Sequence, residues 1–394
     1  MTAMAISQAQ QRTLVLAMTF FFIASVYLCT TRLFNMSFTN EPLGRPAAAA
    51  AAAAQPAANP YAVRLGPADL PMSYGEYRRP NVDGLKLMAR LPRELVPTSA
   101  NGRRLVIVGD IHGMDAELGR LLDRVGLDAA RDHVVSVGDM INKGPASTAV
   151  VARLMTLNAS AVRGNHEDRV LLSRAEAYHV QGISAELASP ESELHRGQAA
   201  ILAVARSLSR EQARWLSELP VILSLEPLPA YVVHAGLVPG VPLAKQDPWA
   251  AMNMRSLIYP REELRKYEEQ NTKQSTGQQA PPSEHRRPTD ASQTEADIKA
   301  DRAVAVPVEN RKGEPWADAW NRHQEQLPES ARRTVIYGHD AKTGYVAGNY
   351  TLGTDSSCVK GGVLTAIVIE ADSDGGFMRT KVQVQCVKRY QKGT

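Results

Sequence analysis

Apolar and polar positions alternate at two distinct periods along most of the chain. Arg104 to Val108 is a short, β-branched apolar run, and Leu118, Leu121, Leu122 and Val125 then recur at helical spacing. Val134 to Val137 reads as the next strand. Val150 to Leu157 with Ala161-Val162 repeats the cycle, and a further helix is expected around Arg169 to Tyr178. Strand and helix in alternation predict an α/β body. Later β-rich runs at Val221 to Leu225, Tyr231 to Val233, Thr334 to Tyr337, Val363 to Ile369 and Val382 to Val387 would complete its sheets.

Three stretches break this pattern. Leu14 to Cys29 holds no charged residue and, with its flanking threonines, approaches the ~20 residues that cross a bilayer. A single-pass signal anchor is the reading adopted, with a cleaved signal peptide and a buried helix as alternatives. No small-residue cleavage site follows at once, and Arg32 comes directly after. Arg12, Arg32 and Arg45 leave the orientation open. From Glu41 to about Pro60 the chain is low in complexity, with an alanine run from Ala47 to Ala54 set between Pro46 and Pro56, and reads as a stem. Glu262 to Lys312 is rich in Gln, Glu, Lys, Ser and Pro and is expected to be a polar surface insertion. The expected organisation is therefore an anchor segment at 1–31, a stem and lead-in at 32–100, and a folded body at 101–394.

A hydrophobic content of 44% and a charged content of 22% exclude a mainly disordered, collagenous or polytopic membrane protein. The formal net charge of +4 does not by itself indicate nucleic-acid binding, so any preference for anions must come from a local site. Cys358 and Cys386 are the one pair outside the apolar stretch that could form a disulfide, and no cysteine cluster suggests structural zinc. Sequons at Asn35, Asn158 and Asn349 lean towards a body in a secretory lumen.

The chemistry gathers where strands hand over to loops. The first strand ends in Gly109-Asp110-Ile111-His112-Gly113, the second in Gly138-Asp139, and the third in Gly164-Asn165-His166-Glu167-Asp168. Strands of one sheet present their ends at one edge, so Asp110, His112, Asp139 and Asn165 can converge as metal ligands. Any one of these motifs alone is more commonly a turn residue or helix cap; in order, each after an expected strand, they point to a site. His234 in VVHAG and His339 in IYGHD also end apolar runs beside a glycine and could extend the cluster, a satisfied core histidine being the alternative. His133, His179, His195 and His323 lack that context.

The series GDIHG, GDMINKGP, VRGNHED, VHAG and GHD resembles the calcineurin-like metallophosphoesterase superfamily, in its phosphoprotein-phosphatase-type branch. Asn142 and Lys143 stand where protein phosphatases usually carry aspartate and arginine, and GDMINKGP is similar to the diadenosine-tetraphosphatase-like subgroup. The segment from Gly353 to Ala366 resembles that subgroup's GCV-x-GG-x-LTA stretch. With the apolar N-terminal segment added, the plan most resembles fungal vacuolar zinc-dependent endopolyphosphatases. The resemblance implies a four-layer α/β/β/α sandwich, here with an N-terminal transmembrane helix, and two divalent ions that activate a water.

Carried over position by position, the resemblance implies that Asp110, His112 and His339 hold one ion, Asn165 and His234 the other, and Asp139 bridges both. His166 would be the general acid, oriented by Asn142. An amide can fix that ring but cannot stabilise imidazolium by charge, which suits a phosphoanhydride leaving group. Arg163 and Lys143 would bind substrate phosphate, with Arg255 a further candidate and Lys342 and Lys360 a basic track. Zinc or manganese is preferred, with cobalt or iron compatible with the same ligands.

The function expected is hydrolysis of phosphoanhydride bonds, foremost inorganic polyphosphate cut internally, by a membrane-anchored body in a vacuole-like lumen. Dinucleoside tetraphosphate or RNA-cap hydrolysis, serine/threonine phosphatase activity and a non-catalytic scaffold are the alternatives, and a cytoplasmic body, which nucleotide substrates would favour, is the alternative location. Nucleotide substrates would call for aromatic residues near the site, for which Tyr337, Trp249 and Trp316 are the candidates. No specific nucleic-acid partner is expected, and the sequence does not give an oligomeric state.

Overall fold

The computed structural model describes residues 84–179, 193–275, 295–373 and 376–388. The expected transmembrane anchor and stem and the Asn35 sequon lie outside them. No helix among the described residues is long and apolar enough to cross a membrane.

Two sheets form the centre. The first has five strands in the order β14 (Phe377–Gln385), β13 (Val363–Ala371), β2 (Arg104–Val108), β3 (Asp132–Ser136) and β4 (Ser160–Ala161), with β2, β3 and β4 parallel. The second has six: β1 (Met88–Arg90), β5 (Ile222–Ser224), β6 (Ala230–Val233), β10 (Thr334–Tyr337), β12 (Thr351–Gly353) and β11 (Val346–Ala347). Within it β6, β10 and β12 are parallel.

Successive side chains of the central strands enter different cores. In β2, Leu105 and Ile107 join Val232, Ile336 and Leu223 of the six-stranded sheet, while Val106 and Val108 join helical residues on the opposite face. In β10, Ile336 points to the shared core, but Val335 and Tyr337 meet a third cluster containing Trp249 and Trp316. The sheets therefore pack face to face, with helices outside each, which is the four-layer α/β/β/α order. Burial on both faces explains why these strands read as continuous apolar runs.

The outer helical layer on the five-stranded sheet includes α1 (Asp115–Val125), α2 (Ser147–Thr156), α3 (Asn165–His179), α4 (Glu193–Ser207) and α5 (Arg210–Ser217). On the other side lie α6 (Pro248–Asn253) and, later in the chain, a helix at Trp316–Glu325. Helix α1 buries Leu118, Leu121 and Leu122 and stops at Gly126, whose φ of 64° is left-handed and cheap only for glycine.

Two boundaries differ from expectation. The body begins before residue 101: Leu85 and Leu87 are buried, and β1 pairs with β5 through Met88 and Ile222. A three-residue strand is too short to show a period. The polar insertion carries structure at both ends, as α7 (Pro260–Ser275), α8 (Glu295–Asp301) and β8 (Val306–Val308). Ion pairs of 2.8 Å, Arg265 to Asp301 and Arg302 to Glu262, join its two sides. Strand β8 forms a small antiparallel sheet with β7 (Ser256–Ile258) and β9 (Glu314–Pro315), directly before α9, the helix at Trp316–Glu325.

Candidate active site

Strand ends deliver the site. Asp110 and His112 follow β2, Asp139 follows β3, Asn165 and His166 open α3 just after β4, His234 follows β6, and His339 follows β10. Of seven non-glycine residues with positive φ among the described residues, five belong here: His112, Asp139, Asn142, Lys143 and His339. Such conformations cost on the order of 1–3 kcal/mol each, and local hydrogen bonds hold them. His112 N–H donates to the Asp139 carbonyl at 2.8 Å, Gly144 N–H to the His112 carbonyl at 2.9 Å, and Asn142 N–H to Ser147 Oγ at 3.0 Å.

Asp139 occupies the centre. Its carboxylate lies 3.5 Å from His112 Nε2, 3.3 Å from His234 Nε2 and 3.9 Å from His166 Nε2. Burial pushes Asp139 up, but His234, His166 and His112 outweigh it and hold the carboxyl well below its usual range. His234 answers in kind: burial opposes its charge, while Asp139 raises it. Asn165 Oδ1 adds a contact to His234 Nε2 at 3.2 Å.

Each of three histidines has its outer nitrogen on a backbone carbonyl, which can only accept. His112 Nδ1 donates to Ile141 O at 3.3 Å, His234 Nδ1 to Val137 O at 3.0 Å, and His339 Nε2 to Asn253 O at 2.9 Å. The other nitrogen of each ring thereby faces the cluster, the orientation that metal-binding histidines use. Ligand-type atoms of His112, Asp139 and His166 lie within 4.8 Å of one another, as do those of Asp139, His234 and His339. His339 thus groups with His234 and not with His112 as expected; at its own end of the cluster it offers Asp110 only its backbone N–H, at 3.1 Å. A period reading places strand ends at one edge but does not say which neighbours share a side.

His166 has a defined tautomer. Lys143 N–H donates to Asn142 Oδ1 at 2.8 Å, so the amide turns its Nδ2 to His166 Nδ1 at 2.9 Å. The imidazole proton then sits on Nε2, facing Asp139. Burial pushes the His166 pKa down to about 3, with Lys143 and Arg169 adding to it against Asp139.

Of the expected phosphate ligands, Lys143 and Arg255 line the metal-ligand pocket, and so does Lys360. The Lys143 ammonium reaches His112 Nε2 at 2.8 Å, and burial lowers its pKa. Arg255 donates to Glu309 O at 3.2 Å and His339 O at 3.4 Å. Arg163 does not join them. It is buried away from the pocket, with Nη1 3.2 Å from Asp168 Oδ1 and Nη2 2.6 Å from Ser217 O. Its place before the GNHE motif put it near the site in sequence, but the strand sends its side chain beneath α3 and α5.

Two functional residues escaped the sequence reading. Glu167, fully buried, accepts four backbone N–H bonds, from Asp139, Met140, Ile141 and Gly164, at 2.8–3.2 Å. It clamps the Asp139 loop to the start of α3, and donors on both oxygens favour the carboxylate although burial pushes its pKa up to about 7. Asp355, at the end of β12, lines the same pocket. Burial raises Asp110, and Asp355 beside it raises it further. The signal was an aspartate after a strand, hidden because β12 spans only Thr351–Gly353.

The donor set fits two divalent cations. Two carboxylates, three imidazoles with fixed outer nitrogens and one amide converge, and adding a Cβ at Gly338 or Gly164 would strike the Asp110 or Asp139 carboxylate. Asp110, His112, Asp139, Asn165, His234 and His339 would hold the ions, which when bound supply Lewis acidity and make an attacking water more acidic.

Residues 103–342 match the calcineurin-like phosphoesterase family. The chain belongs to that family. It is 43% identical over 77 residues to serine/threonine-protein phosphatase 1 of Salmonella typhimurium, covering 20% of this chain and 36% of that protein. It is 33% identical over 138 residues to the symmetrical bis(5'-nucleosyl)-tetraphosphatase of Coxiella burnetii, covering 35% of this chain and 43% of that one. The chain thus spans less than half the length of these curated relatives. A solved candidate diadenosine tetraphosphatase shares 27% identity at a TM-score of 0.49, covering 74% of this chain and 96% of its own.

The family match runs through every one of the candidate metal ligands, from Asp110 to His339. Lys143, Arg255 and Lys360 bring positive charge to the pocket, where a phosphate oxygen would meet it, and His166 turns Nε2–H towards the same space.

Proposed function

We propose that this phosphoesterase hydrolyses phosphoanhydride bonds. The observation that carries this reading is the Asn142–His166 pair, 2.9 Å apart, which leaves a neutral imidazole of low proton affinity that offers the leaving oxygen a hydrogen bond from Nε2–H and no proton to transfer. Such a ring is seldom protonated twice, so it suits a phosphate leaving group, which needs little help, over a serine alkoxide. The half-buried cations Lys143 and Arg255 suit a chain of linked phosphates.

Internal cleavage of inorganic polyphosphate is the first substrate proposed, with zinc or manganese as the ions. The proposal includes an anchor at 14–29 and a body in a vacuole-like lumen; the Cys358–Cys386 disulfide and the exposed sequon residues Asn158 and Asn349 support an oxidising lumen. The second reading is dinucleoside polyphosphate hydrolysis, favoured by the tetraphosphatase relatives.

The test is incubation of the full chain with long-chain polyphosphate, diadenosine tetraphosphate and a phosphopeptide, each with zinc, manganese or cobalt, and with Asp139→Asn as control. Metal-dependent cleavage of either anhydride, at least tenfold above the phosphopeptide, is expected. Preferential release of phosphate from the peptide would overturn the reading.

A further inference from the structure

A second cavity of about 200 Å³ lies beside the metal-ligand pocket and shares Arg255 with it. The two differ in chemistry. The metal-ligand pocket is walled by Asp, His, Lys and Arg side chains, whereas Trp316, Tyr337 and Val346 supply much of the second wall. Trp316 and Tyr337 pack edge to face with centroids 4.8 Å apart. Trp249, the third aromatic candidate, lies in the same core cluster and lines neither cavity.

The polar residues of this cavity disfavour a polyanion. Asp318 and Asp340 contribute carboxylates, and Arg311 is already paired with Asp340 and hydrogen-bonded to Thr343 Oγ1 at 3.1 Å. Continuing a phosphate chain into this space would set its charge against two carboxylates and an apolar wall. A group that carries phosphate at one end and a flat, largely apolar ring at the other meets both environments. Arg255 is the hinge between them, since its guanidinium reaches the His339 carbonyl on the metal side while its side chain also borders the aromatic cavity.

We propose that this cavity is a nucleoside subsite. The substrate phosphate would engage Arg255, the base would lie against the Trp316–Tyr337 wall, and a rim carboxylate would accept from a base amino group or a ribose hydroxyl. The inference rests on the second reading above and assigns the small sheet β7–β8–β9 and the start of α9 a role in choosing the substrate. The polar insertion therefore acts on specificity, because it carries β8 and delivers the chain to Arg311 and Trp316.

The test measures binding and hydrolysis on the full chain loaded with manganese. Calorimetric titration with adenosine 5'-monophosphate and with inorganic phosphate should give at least tenfold tighter binding of the nucleotide. Ala317→Phe, at a half-buried position on the cavity wall, and Thr343→Trp, at an exposed one, each fill the space independently. Each should remove that preference and lower the ratio of kcat/KM for diadenosine tetraphosphate over inorganic tripolyphosphate at least tenfold. Equal binding of the two probes by the unaltered protein, or a preference that survives both variants, would overturn the subsite. Failure of the unaltered protein to cleave either anhydride would defeat the proposed function instead, while the binding preference still decides the cavity.

Discussion

At the scale of single residues, the site depends on which atom each side chain spends on the scaffold. His112, His234 and His339 each give one nitrogen to a backbone carbonyl and keep the other for the cluster. Asn142 spends its oxygen on Lys143 N–H and so offers His166 a donor. A carboxylate there would instead accept from Nδ1–H and stabilise the imidazolium. Asn142→Asp is therefore expected to raise the His166 pKa, extend the acid-dependent limb of the pH–rate profile to higher pH, and lower the anhydride-to-monoester ratio of kcat/KM at least tenfold. The comparison is tripolyphosphate against p-nitrophenyl phosphate across pH 5–9. An unchanged ratio with a shifted profile would separate the proton affinity of His166 from substrate choice and sink the link between them. Lys143 and Asn142 were legible as departures from a motif; the direction of the Asn142 amide was not, because it depends on a hydrogen bond that sequence does not display.

At the scale of elements, loops on strand ends carry the chemistry and other parts of the fold brace them. The turn that follows Asp355 contains Ser357, Cys358, Val359 and Lys360, all lining the metal-ligand pocket. Cys358 is bonded to Cys386 just past β14, closing a loop of 28 residues. Loop-closure entropy for that length stabilises the fold by about 3–4 kcal/mol. The paired replacement Cys358→Ala with Cys386→Ala should lower the unfolding free energy by roughly that amount, read from urea denaturation, and loosen the turn that carries Lys360. If reduction of the unaltered protein and the double variant both leave the denaturation midpoint in place, the turn is held by its backbone hydrogen bonds alone. The alternation of β2, α1 and β3 was plain in the sequence because long apolar runs report burial on both faces. The short strands β1, β11 and β12 were not, since so few positions hold no period and no longer apolar run surrounds them.

At the scale of the whole molecule, acid is a threat from within. His133 lies in the five-stranded sheet with Nε2 2.9 Å from Ser160 Oγ, and burial, with Arg103 adding, pushes its pKa down to about 4. The unfolded chain binds a proton at this ring below about pH 6.5, which the folded ring refuses until about pH 4. Its contribution is therefore fully present above pH 6.5 and is lost as pH falls from there towards 4. His133→Gln should flatten that part of the stability curve, measured as unfolding free energy between pH 7.5 and 5. Parallel curves for the two proteins would show that other groups govern the acid response. A body in an acidic lumen, as proposed, would operate on the falling part of this curve.

By itself, the sequence determined the α/β alternation and the strand-end positions of Asp110, His112, Asp139, Asn165, His234 and His339, because these follow from local period and spacing; the family was legible only through the resemblance of its motifs. Tertiary structure decided the rest. It grouped His339 with His234, turned Arg163 into the scaffold, brought Asp355 against Asp110, and set an aromatic cavity behind Arg255. Each of those outcomes depends on how two sheets and a distant insertion meet in space, and contacts between segments far apart in the chain leave no local trace in its pattern.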